Sequence, residues 1–112
     1  MSRNMVLKLG KSFRSIPVDG IVFMEKDMRK IRIHTKEEDV LEFYAKFSEI
    51  MPYLDKRFMH CHRSYIINMD EILLMECRQI HVSSNECISL GRDTYSRARK
   101  KYSEYMSGGG QP

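Results

Sequence analysis

Apolar positions along the chain mostly alternate with polar ones or come in runs of four or five, and only two stretches keep a helical period. Residues 5–10 and 12–18 read as short β segments around a turn at Gly10 and Lys11. Pro17, Val18, Asp19 and Gly20 are turn chemistry, since Gly20 tolerates positive φ and Asp19 can cap the bend. Ile21, Val22, Phe23 and Met24 follow without a polar break, which predicts a strand covered on both sides. Residues 25–30 form a polar loop holding Lys26, Arg29 and Lys30. Ile31 and Ile33 then alternate with Arg32 and His34, a turn closes over residues 36–39, and residues 40–44 pair back to continue a β-meander.

Tyr44, Phe47, Met51 and Leu54 fall at helical spacing, with Lys46 and Glu49 on the other side. Pro52 has no N–H to give to a helical ladder, so the regular helix should end near Met51. After residues 58–68, further strands are expected at 72–77, 79–82 and 87–90, with Ser83, Ser84, Asn85 and Glu86 as a turn. From Asp93 the pattern is helical: Tyr95, Ala98, Tyr102, Tyr105 and Met106 form one stripe. Asp93 suits the positive end of that helix's dipole. The expectation is a mostly-β, multi-stranded antiparallel fold with one short internal helix and a C-terminal helix. It occupies residues 1–106 as one domain, followed by a flexible tail over residues 107–112.

Composition narrows the class without choosing a function. The 112 residues are 42% hydrophobic and 30% charged, which fits a folded domain rather than disorder. The net charge of +4 is compatible with an anionic partner but does not require one. No apolar run approaches the ~18–20 residues of a membrane span, and no secretory leader is visible, so a cytoplasmic setting is expected. Cys61, Cys77 and Cys87 are odd in number and form no CxxC pair, which predicts reduced thiols rather than a disulfide framework or zinc knuckle.

One stretch stands apart. Phe58, Met59, His60, Cys61, His62, Arg63, Ser64, Tyr65, Ile66, Ile67, Asn68 pass from an apolar anchor through a polar knot into an apolar run, with Ile72 beyond. The segment His62-Arg63-Ser64-Tyr65-Ile66-Ile67-Asn68, with Phe58 before it and Ile72 after it, resembles the signature of the LytTR family of bacterial DNA-binding domains, and the likeness extends over roughly residues 5–100. The resemblance implies an elongated, mostly-β fold whose connecting loops, rather than a recognition helix, enter DNA grooves. It implies a cytoplasmic transcription regulator of the response-regulator kind, not an enzyme. Its expected partner is double-stranded DNA bearing repeated half-sites bound in pairs, with a receiver domain preceding this one in a longer protein.

Arg63 carries a planar fork of donors suited to phosphate oxygens or to the O6/N7 edge of guanine, and the resemblance places it in a DNA-facing loop. Its bland alternative is a solvated cation paired with Asp55 or Asp70. Ser64 can hydrogen-bond a phosphate or cap a helical turn starting at Tyr65. Asn68 better suits backbone groups at a turn than a base. Arg92, after Gly91, belongs by resemblance to the DNA-facing set, against a charge solvated beside Asp93. Arg29 and Lys30 sit in the third implied element. That loop offers cations and no Asn or His, which favours phosphate anchoring over base reading. Arg97 is an auxiliary phosphate contact, while Arg99, Lys100 and Lys101 serve solubility.

His60 and His62, two apart, would point the same way on a strand, but no third ligand accompanies them, so neither a metal nor another cofactor is expected. A Cys61 nucleophile would have its histidine neighbours pointing away from it. Cys61 and Cys87 each lie near an expected DNA-facing arginine, and a nearby cation would lower their thiol pKa and make them redox-sensitive. The reading from another class is a protein-interaction module of the same fold without DNA binding.

Overall fold

The computed structural model describes residues 3–109. At the N-terminus alternation becomes pairing: β1 (Asn4–Leu9) and β2 (Ser12–Pro17) form an antiparallel hairpin in which Leu9 opposes Ser12. Gly10 closes it at φ +63°, where a residue with a Cβ would be strained. The bend that follows is a single 3-10 turn, Val18–Gly20, and Gly20 does not use the positive φ its sequence position suggested.

The middle of the molecule is a five-stranded antiparallel sheet built from β3 (Ile21–Asp27), β4 (Lys30–Thr35), β5 (Val40–Tyr44), β6 (Phe58–His62) and β7 (Tyr65–Asn68). Their order across the sheet is β5-β4-β3-β7-β6. The expected polar loop over residues 25–30 is instead mostly strand: β3 runs on to Asp27, which opposes Lys30, and only Met28 and Arg29 form the turn. Glu25 holds His34 and Arg32 across the pair, so the segment's polar residues find partners within the sheet.

Both faces of this sheet are covered. Met24, Ile31, Ile33, Phe43 and Ile66 pack on one side against Met5, Leu7 and Ile16 of the hairpin and against Phe47 and Ile50. Phe23, Met59 and Ile67 pack on the other against a three-stranded antiparallel sheet, β8 (Ile72–Glu76), β9 (Gln79–Val82) and β10 (Cys87–Ser89), and against helix α2 (Arg92–Glu104). Consecutive Ile66 and Ile67 therefore serve opposite cores, which is why the run had no polar break. The layers give extents of 42 × 33 × 24 Å.

The internal helix α1 is one turn, Phe47–Ile50, succeeded by a 3-10 turn, Met51–Tyr53. It stops before Pro52, as expected, but its buried residues are Phe47 and Ile50; Met51 is exposed and Tyr44 belongs to β5. The expected stripe assigned those last two residues to the wrong element. In α2 the stripe holds as far as Tyr105: Ala98 is buried and Tyr95, Tyr102 and Tyr105 pack on the second core, whereas Met106 is 50% exposed. Arg92 is already helical, with Gly91 in extended backbone ahead of it. Residues 105–109 close the helix in a wider turn. Of the expected tail, Gly110, Gln111 and Pro112 lie outside the described residues.

Among the described residues two polar side chains, Asn68 and His34, are buried and tie layers together. Asn68 donates to the Ile21 carbonyl at 2.9 Å and accepts from the Asp70 N–H at 3.0 Å, fixing the exit of β7. His34 stacks on Phe23 with ring centroids 4.0 Å apart and sets Nε2 3.1 Å from Glu25 Oε1. Its Nδ1 lies 2.7 Å from Glu86 Oε2, in the β9–β10 turn, too skewed for a hydrogen bond.

Candidate nucleic-acid interface

Strand register gathers the basic turns at one end of the central sheet. Glu25 opposes Tyr65, and the Lys26 N–H donates to the Ser64 carbonyl at 2.8 Å, so the β6–β7 turn of Arg63 and Ser64 lies beside the rising β3–β4 hairpin. Two residues further on, Met28 and Arg29 form that hairpin's tip. Lys30 opposes Tyr44, and the Ala45 N–H donates to the Arg29 carbonyl at 3.3 Å, which brings Lys46 to the same end.

Arg63 is exposed in the β6–β7 turn at one edge of the sheet. Among the described residues no ion pair holds it: Asp55 engages Arg57, and Asp70 accepts the Tyr105 hydroxyl at 2.7 Å. Ser64 caps no helix, because Tyr65 opens a strand; its N–H donates to His62 Nδ1 at 3.0 Å, which tightens the turn. Arg63 shares an open cleft with His60, Cys61, His62, Arg97, Ala98 and Lys101. Arg97 thus lies against the Arg63 turn, and Lys101, assigned to solvent on sequence grounds, joins the cluster. Its signal was available: Lys101 is one helical turn past Arg97.

Lys101 of α2 lies close enough to His60 and Cys61 of β6 for its charge to act on both. Arg92, exposed, opens the same helix about 7.5 Å along its axis before Arg97. Beside it the Leu90 N–H donates to the Arg78 carbonyl at 3.0 Å, at the β8–β9 turn. Cys77 and Arg78 in that turn both have positive φ, 53° and 62°, a mirror-image hairpin without glycine or asparagine. Arg78 is exposed and went unnoticed in the sequence for that reason. Neither Arg78 nor Arg92 has an ion-pair partner among the described residues.

Carboxylates near these turns are engaged by neighbouring groups. Glu25 and Asp27 engage Arg32, and Glu49 accepts the Lys46 N–H at 3.0 Å. Lys30 is the exception among the expected cations: it lies in strand β4, 3.7 Å from Glu42 and 5.8 Å from the Tyr44 ring centroid. Among the described residues neither Arg29, which is exposed, nor Lys26 has an ion-pair partner at this tip.

Titration follows the same geography. Burial, then the charges of Lys101 and His62, lower the pKa of His60, whose ring stands edge-on to Phe47. Burial pushes the Cys61 thiol up to about 11, with only a small opposing pull from Lys101. The thiol activation expected of Cys61 from its basic neighbours is thereby reversed, because it faces the second core. Cys87 is exposed, its Sγ 4.0 Å from His81 Nε2. Among the described residues no group of three His, Cys, Asp or Glu is placed to hold a metal ion, and no helix is long and apolar enough to cross a membrane.

A family model described as the LytTr DNA-binding domain matches residues 11–103. The chain belongs to the LytTR DNA-binding domain family. Accessory gene regulator protein A from two strains of Staphylococcus epidermidis is 31% identical over 75 residues, covering 65% of this chain. The match takes in 31% of each relative's length, so this chain corresponds to about a third of those proteins. Among solved structures, a LytTr DNA-binding domain from Bacillus cereus superposes with a TM-score of 0.69 at 21% identity, covering 88% of this chain and 95% of that one. The LytTR fold, mostly antiparallel β with two helices, is thus the fold of this chain.

Proposed function

We propose that this LytTR domain binds double-stranded DNA sequence-specifically as part of a transcription regulator, with the basic sheet end as its docking face. The observation that supports the reading is the convergence of Arg63, Arg97 and Lys101 in one cleft, all exposed and, among the described residues, none paired with a carboxylate. Uncompensated cations on a concave, solvent-open surface suit a polyanion. In this reading Arg63 and Arg92 reach base edges, and Arg29, Ser64, Arg97 and Lys101 hold phosphates. Lys30 contributes less than its charge suggests, since Glu42 already holds it. A preceding receiver domain, repeated half-sites and pairing of copies on DNA belong to the same proposal by family likeness.

The test is quantitative binding to a duplex selected from a random pool, measured at several salt concentrations. Arg63→Ala and Arg92→Ala should each cost ~1–3 kcal/mol on the selected site and relax preference at one position. Lys101→Ala should weaken selected and scrambled duplexes alike and reduce the salt slope by about one. Equal losses on both duplexes for all three variants would contradict this division of roles.

One feature favours the reading as a protein-interaction module instead. β8 is the free edge of the three-stranded sheet, and a register shift there leaves Leu73 and Leu74 both exposed. If wild-type protein fails to bind any duplex while substitutions at Leu73 abolish a protein contact, that reading replaces the first.

A further inference from the structure

The β3–β4 tip holds a residue that neither charge nor hydrogen bonding explains. Met28 is 87% exposed, the most exposed large apolar side chain among the described residues. It occupies the first position of a two-residue hairpin turn at φ +59°, where glycine is the unstrained choice because a Cβ crowds the backbone. A bulky apolar residue there gives the fold nothing: it touches no core and strains the turn.

The surroundings of Met28 indicate what meets it. Lys26, Arg29 and Lys46 line the same recess, together with one carboxylate, Glu49, and the exposed Tyr44. A tip that is apolar at its point and cationic at its flanks complements a surface with phosphates at its rim and an apolar group within reach of the point. Duplex DNA presents one apolar group in its major groove, the C5-methyl of thymine. β7 and β5 flank the hairpin almost to its turn, so only the tip can enter a groove, and the ≈12 Å major groove is wider than the ≈6 Å minor groove. Methionine is suited to the contact, being long, unbranched and polarizable.

We infer that Met28 is a specificity-determining residue, packing its thioether on a thymine methyl while Arg29 and Lys26 hold the flanking phosphates. The cation-rich tip, expected from the sequence to anchor phosphates only, thereby reads a base by apolar contact. The inference rests on the duplex-binding reading above, and its test separates the two.

In a selected duplex each thymine is replaced singly by deoxyuridine, which removes the methyl and nothing else. For the wild-type chain, one position per bound copy should lose about fourfold in affinity, the worth of ~0.8 kcal/mol for one buried carbon. Met28→Gly should bind thymine and uracil equally at that position and keep the wild-type salt slope. Its thermal midpoint should be unchanged or higher, because glycine relieves the turn, so misfolding cannot mimic the result. A wild-type protein indifferent to every thymine methyl, or a Met28→Gly variant that retains the discrimination, overturns the inference while leaving duplex binding intact. No binding of any duplex by either protein overturns both readings together.

Discussion

Arg63 and Cys61 are two residues apart and illustrate how burial sorts neighbouring chemistry. Arg63 stands at the point of a two-residue turn with no carboxylate in reach, whereas Cys61 looks into the apolar layer under α2. A thiol held at about 11 is almost wholly protonated near neutrality, and thiolate is the reactive form. Alkylation followed by mass spectrometry at pH 8 should therefore label exposed Cys77 and Cys87 well before Cys61, with Cys61 catching up as the pH approaches 11. Prompt labelling of Cys61 at pH 8 would show that the thiol is not held in that layer. Its position on the inward face could not be read from the sequence, where Cys61 sits among four polar neighbours. The irregular pairing between Met59 and His62 shifts the facing of the residues between them.

Among the elements, the strands and most turns were legible, but the turns at Met28–Arg29 and Cys77–Arg78 were not. Alternation at Ile31 and Ile33, and the unbroken runs at residues 21–24 and 65–67, announced buried strands because two covered faces leave no room for polar side chains. Turns at Met28, Cys77 and Arg78 carry none of the usual residues, since each accepts a positive φ without glycine. The stripe from Tyr44 to Leu54 misled because a 3.6 spacing was completed across a strand end and a 3-10 turn. Asn68 was placed correctly by chemistry alone: a buried amide at the end of an apolar run must satisfy backbone groups. With its contact to the Ile21 carbonyl buried and that to Asp70 partly so, Asn68→Ala should destabilise the domain by ~1–3 kcal/mol in urea unfolding. A change below a few tenths would mean that water replaces the amide and that β7 is held by packing alone.

At the scale of the molecule, two hydrophobic cores back one sheet, and the turns at one end of that sheet carry Arg63 and Arg29. The five-stranded sheet fixes how far the Arg63 and Met28 turns stand apart. The most direct test of the account is amide chemical-shift mapping of the labelled domain as a selected duplex is added. The account predicts perturbations concentrated at Met28, Arg29, Arg63, Ser64, Arg92 and Arg97, with β8 silent. Perturbations centred on Leu73 and Leu74, with the Arg63 and Met28 turns unmoved, would contradict it.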